Sequence, residues 1–322
     1  MNNQSRSIPG PRREIGVDVS KDTLDVFDGS SHWQASNDKT GIRRLIARIR
    51  KLGPIARCRI TCESTGRYGH LLVATALEAG LSVSIANPRA VRDFARCHGR
   101  LAKTDRIDAE TIAAFASAIN PAVLGGDWNH RRHFVDLFSR MRSLVTLAAS
   151  QKASLHQTSD RRILAEIRST ISMLERKVAA YERELDEMVR SDTELRSRME
   201  KMTAIKGVGK RTGLALLATM PELGSINRQE AAALAGLAPM NRDSGRMRGT
   251  RHIQAGRAPA RTALYLAAVV ASRFHPTLKT FYQRLREAGK TARQAFCAVA
   301  RKLLIQINTS LKPTLQSVPA SI

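Results

Sequence analysis

The sequence predicts an α/β segment, then a long amphipathic helical stretch, then a mostly helical and strongly basic segment. Three observations carry this prediction. Short apolar runs alternate with helix-period segments up to about residue 120, a stripe of apolar residues spaced by three and four fills the middle, and an Ala- and Arg-rich pattern broken by glycines fills the rest.

In the first segment, Glu14 to Asp28 reads as two short strands around a turn, Ile42 to Leu52 as a helix and Arg59 to Glu63 as a buried strand. Tyr68 to Ala79 reads as a helix and Leu81 to Asn87 as a strand. Pro88 to Cys97 is a helix with proline in its first turn, where a missing amide costs nothing. Residues 1–122 are therefore expected as one α/β domain. In the middle, Leu164, Ile167, Ile171, Leu174, Val178, Tyr181, Leu185 and Met188 form a heptad seam. Upstream, Met141, Leu144, Ala148, Gln151, Leu155 and Thr158 keep the phase with poorer core residues, so residues 123–200 are expected as a long α-helical coiled-coil segment. No second strong seam is apparent for it to face, which favours oligomerisation over an intramolecular hairpin. Residues 201–322 read as helices punctuated by Gly207, Gly209, Pro221, Gly236, Pro239, Gly245, Gly249 and Gly256.

Charge narrows the partners. The 322 residues carry 53 Lys plus Arg against 28 Asp plus Glu, a net charge of +25, and residues 200–322 alone carry 20 basic and 5 acidic side chains. With 43% hydrophobic residues the chain is too apolar for a disordered basic tail, so this charge sits on folded domains and seeks a polyanion. The cysteines, Cys58, Cys62, Cys97 and Cys297, form no CxxC pair and read as reduced thiols, buried or neutral. The longest apolar stretch, Ala263 to Ala271, falls far short of the ~20 residues that span a bilayer. A cytoplasmic protein is expected, nucleoid-associated when bound to DNA and without a membrane partner.

Several residues could carry chemistry. Asp18 is a carboxylate inside the apolar run Ile15-Gly16-Val17-Asp18-Val19, where burial without a cation is expensive. Glu63 ends the strand Arg59-Ile60-Thr61-Cys62. Asp105 and Asp108, three apart, share one helix face. Four carboxylates on two strand ends and one helix suit hard divalent cations such as Mg²⁺, and two such ions would clamp the attacking and leaving oxygens of a phosphoryl transfer. Each acid alone has a structural reading: Asp105 as a helix cap, Asp108 as a partner of the helix dipole, Glu63 as an arginine partner. Asp18 resists it most. Asp22, Asp25 and Asp28 read as solvated turn residues.

Ile205-Lys206-Gly207-Val208-Gly209-Lys210-Arg211 has the pattern of a helix-hairpin-helix turn. Its glycines let amides approach a phosphate, while Lys206, Lys210 and Arg211 add charge. The segment Asn241 to His252 places Ser244 beside Gly245 among Arg242, Arg246, Arg248 and Arg251. That serine reads either as a loop nucleophile assisted by positive charge or as part of a phosphate-contacting loop, and composition alone favours the latter. The eight histidines form no metal-ligand spacing.

The ordered set Ile15-Gly16-Val17-Asp18, Cys62-Glu63-Ser64-Thr65-Gly66, Asn87-Pro88 and Lys103 to Ala109 resembles the RuvC-like DEDD domain of a bacterial insertion-sequence transposase family related to the Piv invertase. Ile205 to Gly209, Ala235-Gly236-Leu237-Ala238-Pro239, Ser244-Gly245, Gly256 and Arg261 to Tyr265 resemble its second half. The resemblance implies a RuvC/RNase H-like first domain that holds Mg²⁺ through Asp18, Glu63, Asp105 and Asp108. It implies a serine-bearing transposase domain in which Ser244 forms a phosphoserine with DNA. It further implies a structured guide RNA, the bridge RNA, that pairs with donor and target double-stranded DNA, and a coiled-coil-linked homo-oligomer, dimer or tetramer, in which different subunits supply the metal site and the serine. Gln254, where a basic residue is common, and Pro259, which reads as interrupting a helix start, depart from the pattern. Two rivals remain: a Mg²⁺-dependent RuvC-like nuclease or junction resolvase with no covalent intermediate, and a non-enzymatic nucleic-acid binder.

Overall fold

The computed structural model describes residues 13–64, 66–99, 105–125, 127–240, 252–253 and 255–313. The chain divides into two units, Met1–His130 and Arg131–Ile322.

In the first unit, β1 (Arg13–Val19), β2 (Thr23–Phe27) and β3 (His32–Ser36) form an antiparallel meander. Helix α1 (Lys39–Lys51), β4 (Cys58–Glu63), α2 (His70–Glu78) and β5 (Ser82–Ala86) follow, then α3 (Pro88–Cys97) and α4 (Asp105–Ile119). The sheet order is β3-β2-β1-β4-β5, with β1, β4 and β5 parallel. Period-two alternation sorts its two faces. Ile15, Val17 and Val19 share an apolar core with Ile60 and Cys62 of β4 and with residues of α1 and α2 such as Leu45, Ile49 and Leu72. Gly16 and Asp18 point to the opposite face, where α4 packs.

The third strand was not expected, because His32-Trp33-Gln34-Ala35-Ser36 has little apolar alternation. The turn before it explains its presence. The Asp28 carboxylate accepts hydrogen bonds from the amides and hydroxyls of both Ser30 and Ser31, closing the β2–β3 hairpin. Asp28 is only 1% exposed, which corrects its reading as a solvated residue.

The second unit is built from helices α5 (Trp128–Ser154), α6 (Arg161–Ser191), α7 (Thr193–Thr203), α8 (Lys210–Thr219) and α9 (Arg228–Leu234). The short pair β6 (Pro239–Met240) and β7 (His252–Ile253) precedes α10 (Ala258–Phe274), α11 (Pro276–Glu287) and α12 (Ala292–Ser310). The heptad seam finds its partner inside the chain. Ile171, Leu174, Val178 and Leu185 are buried, and Phe134, Leu137, Phe138, Met141, Leu144 and Ala148 of α5 lie in the same core as Leu174, Val178 and Leu185. A His133–Glu184 contact and the Lys152–Glu175 ion pair flank this antiparallel hairpin. The expectation that the chain lacked a second seam is thus corrected. The aromatic residues at its start and the alanine near its end disguised α5 as a poor heptad. Segments expected as 123–200 and 201–322 share one apolar core, which also includes Leu214, Leu264 and Leu303.

Pro259 sits in the first turn of α10 rather than interrupting it, because no intrahelical amide is required there. All four cysteines are free; Cys58 and Cys62 are buried, Cys297 is half-buried and Cys97 is exposed. Among the described residues, no helix is long and apolar enough to cross a membrane.

Candidate active site and nucleic-acid interface

Strand register places the first two carboxylates. Parallel pairing runs from Arg13 opposite Cys58 to Val17 opposite Cys62, so the next residues, Asp18 and Glu63, sit side by side near the C-terminal ends of β1 and β4 and on one face. Both are half-buried.

The third comes from α4, and two contacts fix that helix. At its C-terminal end, the Arg59 guanidinium donates to the Ala116 carbonyl at 2.7 Å, to Asn120 Oδ1 at 2.7 Å and to the Pro121 carbonyl at 3.1 Å, while its Nε donates to Glu14 Oε2 at 2.7 Å. Farther along, α4 lies directly on Gly16. A Cβ there would stand 1.9 Å from the Ala109 carbonyl oxygen and 2.6 Å from the Ala113 nitrogen, so only glycine admits the helix. Because Ala116 meets the start of β4 and Ala109 meets the middle of β1, α4 runs antiparallel to both strands. Its first turn, carrying Asp105 and Asp108, lies toward the edge that bears Asp18 and Glu63. Asp108 is half-buried, and of Asp105 only the backbone is described. The positive end of the α4 dipole thus faces the acidic edge. Among the described residues, no three His, Cys, Asp or Glu side chains are gathered closely enough to hold a metal ion.

Sequence reasoning set Asp25 aside as a solvated turn residue. It stands directly opposite Asp18 across the β1–β2 ladder and is half-buried, and Gln34 Nε2 donates to its carboxylate at 3.1 Å. Hairpin register would have revealed it, since a short turn after Val19 brings residue 25 against residue 18. Beside Glu63, burial first and then the neighbouring carboxylate push the Cys62 thiol up to about 12, which leaves it protonated and inert at neutral pH.

The helix-hairpin-helix-like element lies between α7 and α8. Gly207 has φ +101°, and a Cβ there would come within 2.6 Å of the Ala271 side chain, so the turn needs glycine on both counts. Val208 is buried beneath it, Lys206 is exposed, and Gly209 precedes α8 with no side-chain cap. Lys210 and Arg211 are not simply turned to solvent. Lys210 pairs with Asp186 and Arg211 with Glu182, both acids on α6, and the hydrogen bond to Glu182 raises the Arg211 pKa. Ser244, Arg242, Arg246, Arg248, Arg251 and Gln254 lie outside the described residues. The neighbouring described residues, Met240 and His252, pair across β6 and β7.

Two family models match in chain order. One, described as Transposase and built on the DEDD domain of the IS110 group, covers residues 15–161. The other, described as Transposase IS116/IS110/IS902 family, covers residues 199–283. The pilin gene-inverting protein of Moraxella bovis is 27% identical over 317 residues, an alignment spanning 90% of this chain and 92% of that protein. The 42 kDa protein of insertion element IS900 from Mycobacterium paratuberculosis is 34% identical over 145 residues, covering 42% of this chain and 36% of that protein. The 43.6 kDa protein of IS110 from Streptomyces coelicolor is 34% identical over 103 residues, 31% of this chain and 25% of that protein. The first family model spans the strand and helix ends that carry the four acids, the second spans the glycine turn and the serine segment, and the chain belongs to the IS116/IS110/IS902 family of transposases, enzymes of DNA recombination.

Proposed function

We propose that this transposase cuts and rejoins the DNA of an insertion sequence through a phosphoserine intermediate on Ser244, in a Mg²⁺-dependent reaction guided by an element-encoded bridge RNA. The observation that carries the reading is the convergence of Asp18, Glu63 and the first turn of α4 on one edge and one face of a RuvC-like sheet. The donor set fits a hard cation, being all carboxylate oxygen with no thiolate or imidazole. Asp18, Glu63, Asp105 and Asp108 would hold the ion, which when bound supplies Lewis-acid polarisation of a phosphoryl oxygen.

The protein's own groups do the rest. Ser244 Oγ attacks the phosphorus and loses its proton as the P–O bond to the departing deoxyribose oxygen breaks, and that oxygen leaves as a hydroxyl. A strand hydroxyl then attacks the phosphoserine in the reverse sense, restoring the diester and the serine. The energy of the diester bond is kept in the covalent intermediate, so rejoining needs no nucleotide triphosphate, and the sequence contains no P-loop motif. Lys206 and the arginines Arg242, Arg246, Arg248 and Arg251 neutralise phosphate charge, together with Lys210 and Arg211 once DNA competes them away from α6. Assembly as a dimer or tetramer would use the outward apolar residues of the α5–α6 hairpin, Val145, Leu147, Ile163 and Met173, since the inward seam is occupied.

The test incubates the protein with Mg²⁺, flanking element RNA and labelled donor and target DNA, and resolves the products on a denaturing gel. A protein-linked DNA band is expected. Ser244→Ala should remove the band, a loss of at least about 10³-fold, while nucleic-acid binding persists. Asp18→Ala should abolish recombination with little change in melting temperature. Cleaved DNA with no protein adduct would replace this reading with a RuvC-like nuclease, and full activity in excess EDTA would remove the metal.

A further inference from the structure

At the foot of the β6–β7 pair, the helical unit opens a cleft of about 1030 Å³ bounded by that pair, α10 and α12. Arg261 of α10 and Arg293 and Arg301 of α12 line it, and among the described residues no carboxylate does. The ion pairs described in this unit are all made by other cations, among them Arg257 with Glu222 and Lys152 with Glu175. Three guanidinium groups therefore face one cavity with their charge uncompensated by any described carboxylate. Open to solvent, this concentration of positive charge is available to an anionic ligand.

The cleft is also shaped. Arg261 Nη1 donates to the Ala255 carbonyl at 2.6 Å, which fixes the guanidinium at the cleft wall. Arg293, Cys297 and Arg301 are spaced i, i+4, i+8 on one face of α12, so the two arginines stand about 12 Å apart along the helix axis. A single bound phosphate cannot bridge that separation, but one strand of a duplex carries a charge every ~3.4 Å along its axis and can. Tyr265 adds an aromatic edge, packed T-shaped on Phe296 with centroids 5.7 Å apart. Leu237, Pro239 and Ile253 add an apolar stretch of wall, beside the polar side chains of Thr262 and Gln294. Spaced cations beside an aromatic and apolar surface match a polymer that alternates phosphate with sugar and base.

We propose that this cleft is the track for the phosphodiester backbone of the DNA strand that Ser244 attacks, with Arg261, Arg293 and Arg301 on separate phosphates, Arg293 and Arg301 about three to four phosphates apart, and Tyr265 against a sugar or base. The proposal rests on the reading of Ser244 given above. It follows from chain continuity, because β6 and β7, which form one rim of the cleft, lead directly into and out of residues 241–251. DNA rather than the guide RNA is assigned because the serine reacts with DNA.

Cys297, half-buried between Arg293 and Arg301, provides a readout independent of catalysis. The full-length protein, as wild type and as Ser244→Ala, is alkylated with N-ethylmaleimide alone, with a saturating DNA duplex, or with RNA of equal length, and labelling of the Cys297 peptide is followed by mass spectrometry. DNA should slow Cys297 labelling by at least about tenfold in both proteins, and the protection should fade as salt rises. The double variant Arg293→Gln with Arg301→Gln, checked for an unchanged melting temperature, should bind DNA about tenfold more weakly and with a salt slope reduced by about 2. Undiminished Cys297 labelling under saturating DNA, or protection by RNA alone, overturns the assignment. The two readings fail separately: protection without any protein-linked DNA supports the cleft and removes the phosphoserine, whereas an adduct formed with Cys297 unprotected removes the cleft and leaves the phosphoserine.

Discussion

Both units tie basic side chains to acids, but they do so under opposite conditions. In the sheet unit the Arg59 side chain is 2% exposed and its guanidinium donates to four different acceptors. In the helical unit, Lys210 and Arg211 are 57% and 68% exposed, and each makes one pair with α6. A buried guanidinium cannot relax without leaving desolvated partners behind, so Arg59 fixes the direction of α4 and hence the edge at which Asp108 lies. An exposed pair is worth little and is readily exchanged. The difference teaches that the buried Arg59 ties hold geometry, whereas the exposed Lys210 and Arg211 pairs can be exchanged at little cost.

The sharpest way to break this contrast is Arg59→Leu. It leaves Glu14 without its partner and strips hydrogen bonds from Ala116, Asn120 and Pro121, at a cost of about 3–5 kcal/mol. Denaturant unfolding should show that loss together with failure of recombination. A change below about 1 kcal/mol would erase the distinction between buried and exposed ties.

A second, smaller effect concerns Asp28. Burial alone would raise its pKa, but the amides and hydroxyls of Ser31 and Ser30 outweigh burial and hold the carboxyl at about 2, below the ordinary 3.8. A depressed folded pKa means that the stabilisation is fully present above the unfolded value. It fades as pH falls from about 4 toward 2. Asp28→Asn should therefore flatten the acid limb of the stability curve by about 1–2 kcal/mol, read by melting temperature against pH. An unchanged acid limb would show that the hairpin does not depend on this ion.

The smallest expected effect tests the other side of the comparison. Glu182→Gln with Asp186→Asn should alter stability by less than about 1 kcal/mol. It should nonetheless tighten DNA binding and steepen its salt dependence, because Lys210 and Arg211 are released to phosphate. Weaker DNA binding in this variant would mean that α6 positions the two cations rather than holding them in reserve.

Much of this architecture was legible because it is local. Proline in the first turn of α3, the apolar run of β4 and the three-residue spacing of Asp105 and Asp108 are properties of neighbouring residues, and each element forms where its spacing places it. The strand β3 and the burial of Asp28 escaped because a hairpin closed by side-chain hydrogen bonds has no apolar period. The partner of the α6 seam escaped because α5 buries aromatic and small residues in irregular alternation. The opposition of Asp25 to Asp18 escaped because it depends on the turn that sets the register.

By itself the sequence determined the chemistry: carboxylates inside apolar strands, glycines at a helix turn, a basic C-terminal segment and the order of elements that carries them. Those follow from residue type and short-range spacing, which no later folding step can alter. Only the tertiary structure decided which groups meet. The antiparallel course of α4 over Gly16, the pairing of Lys210 and Arg211 with α6, and the gathering of Arg261, Arg293 and Arg301 around one cleft join residues distant in the chain. Such contacts are set by packing and register, which act through space rather than along the sequence.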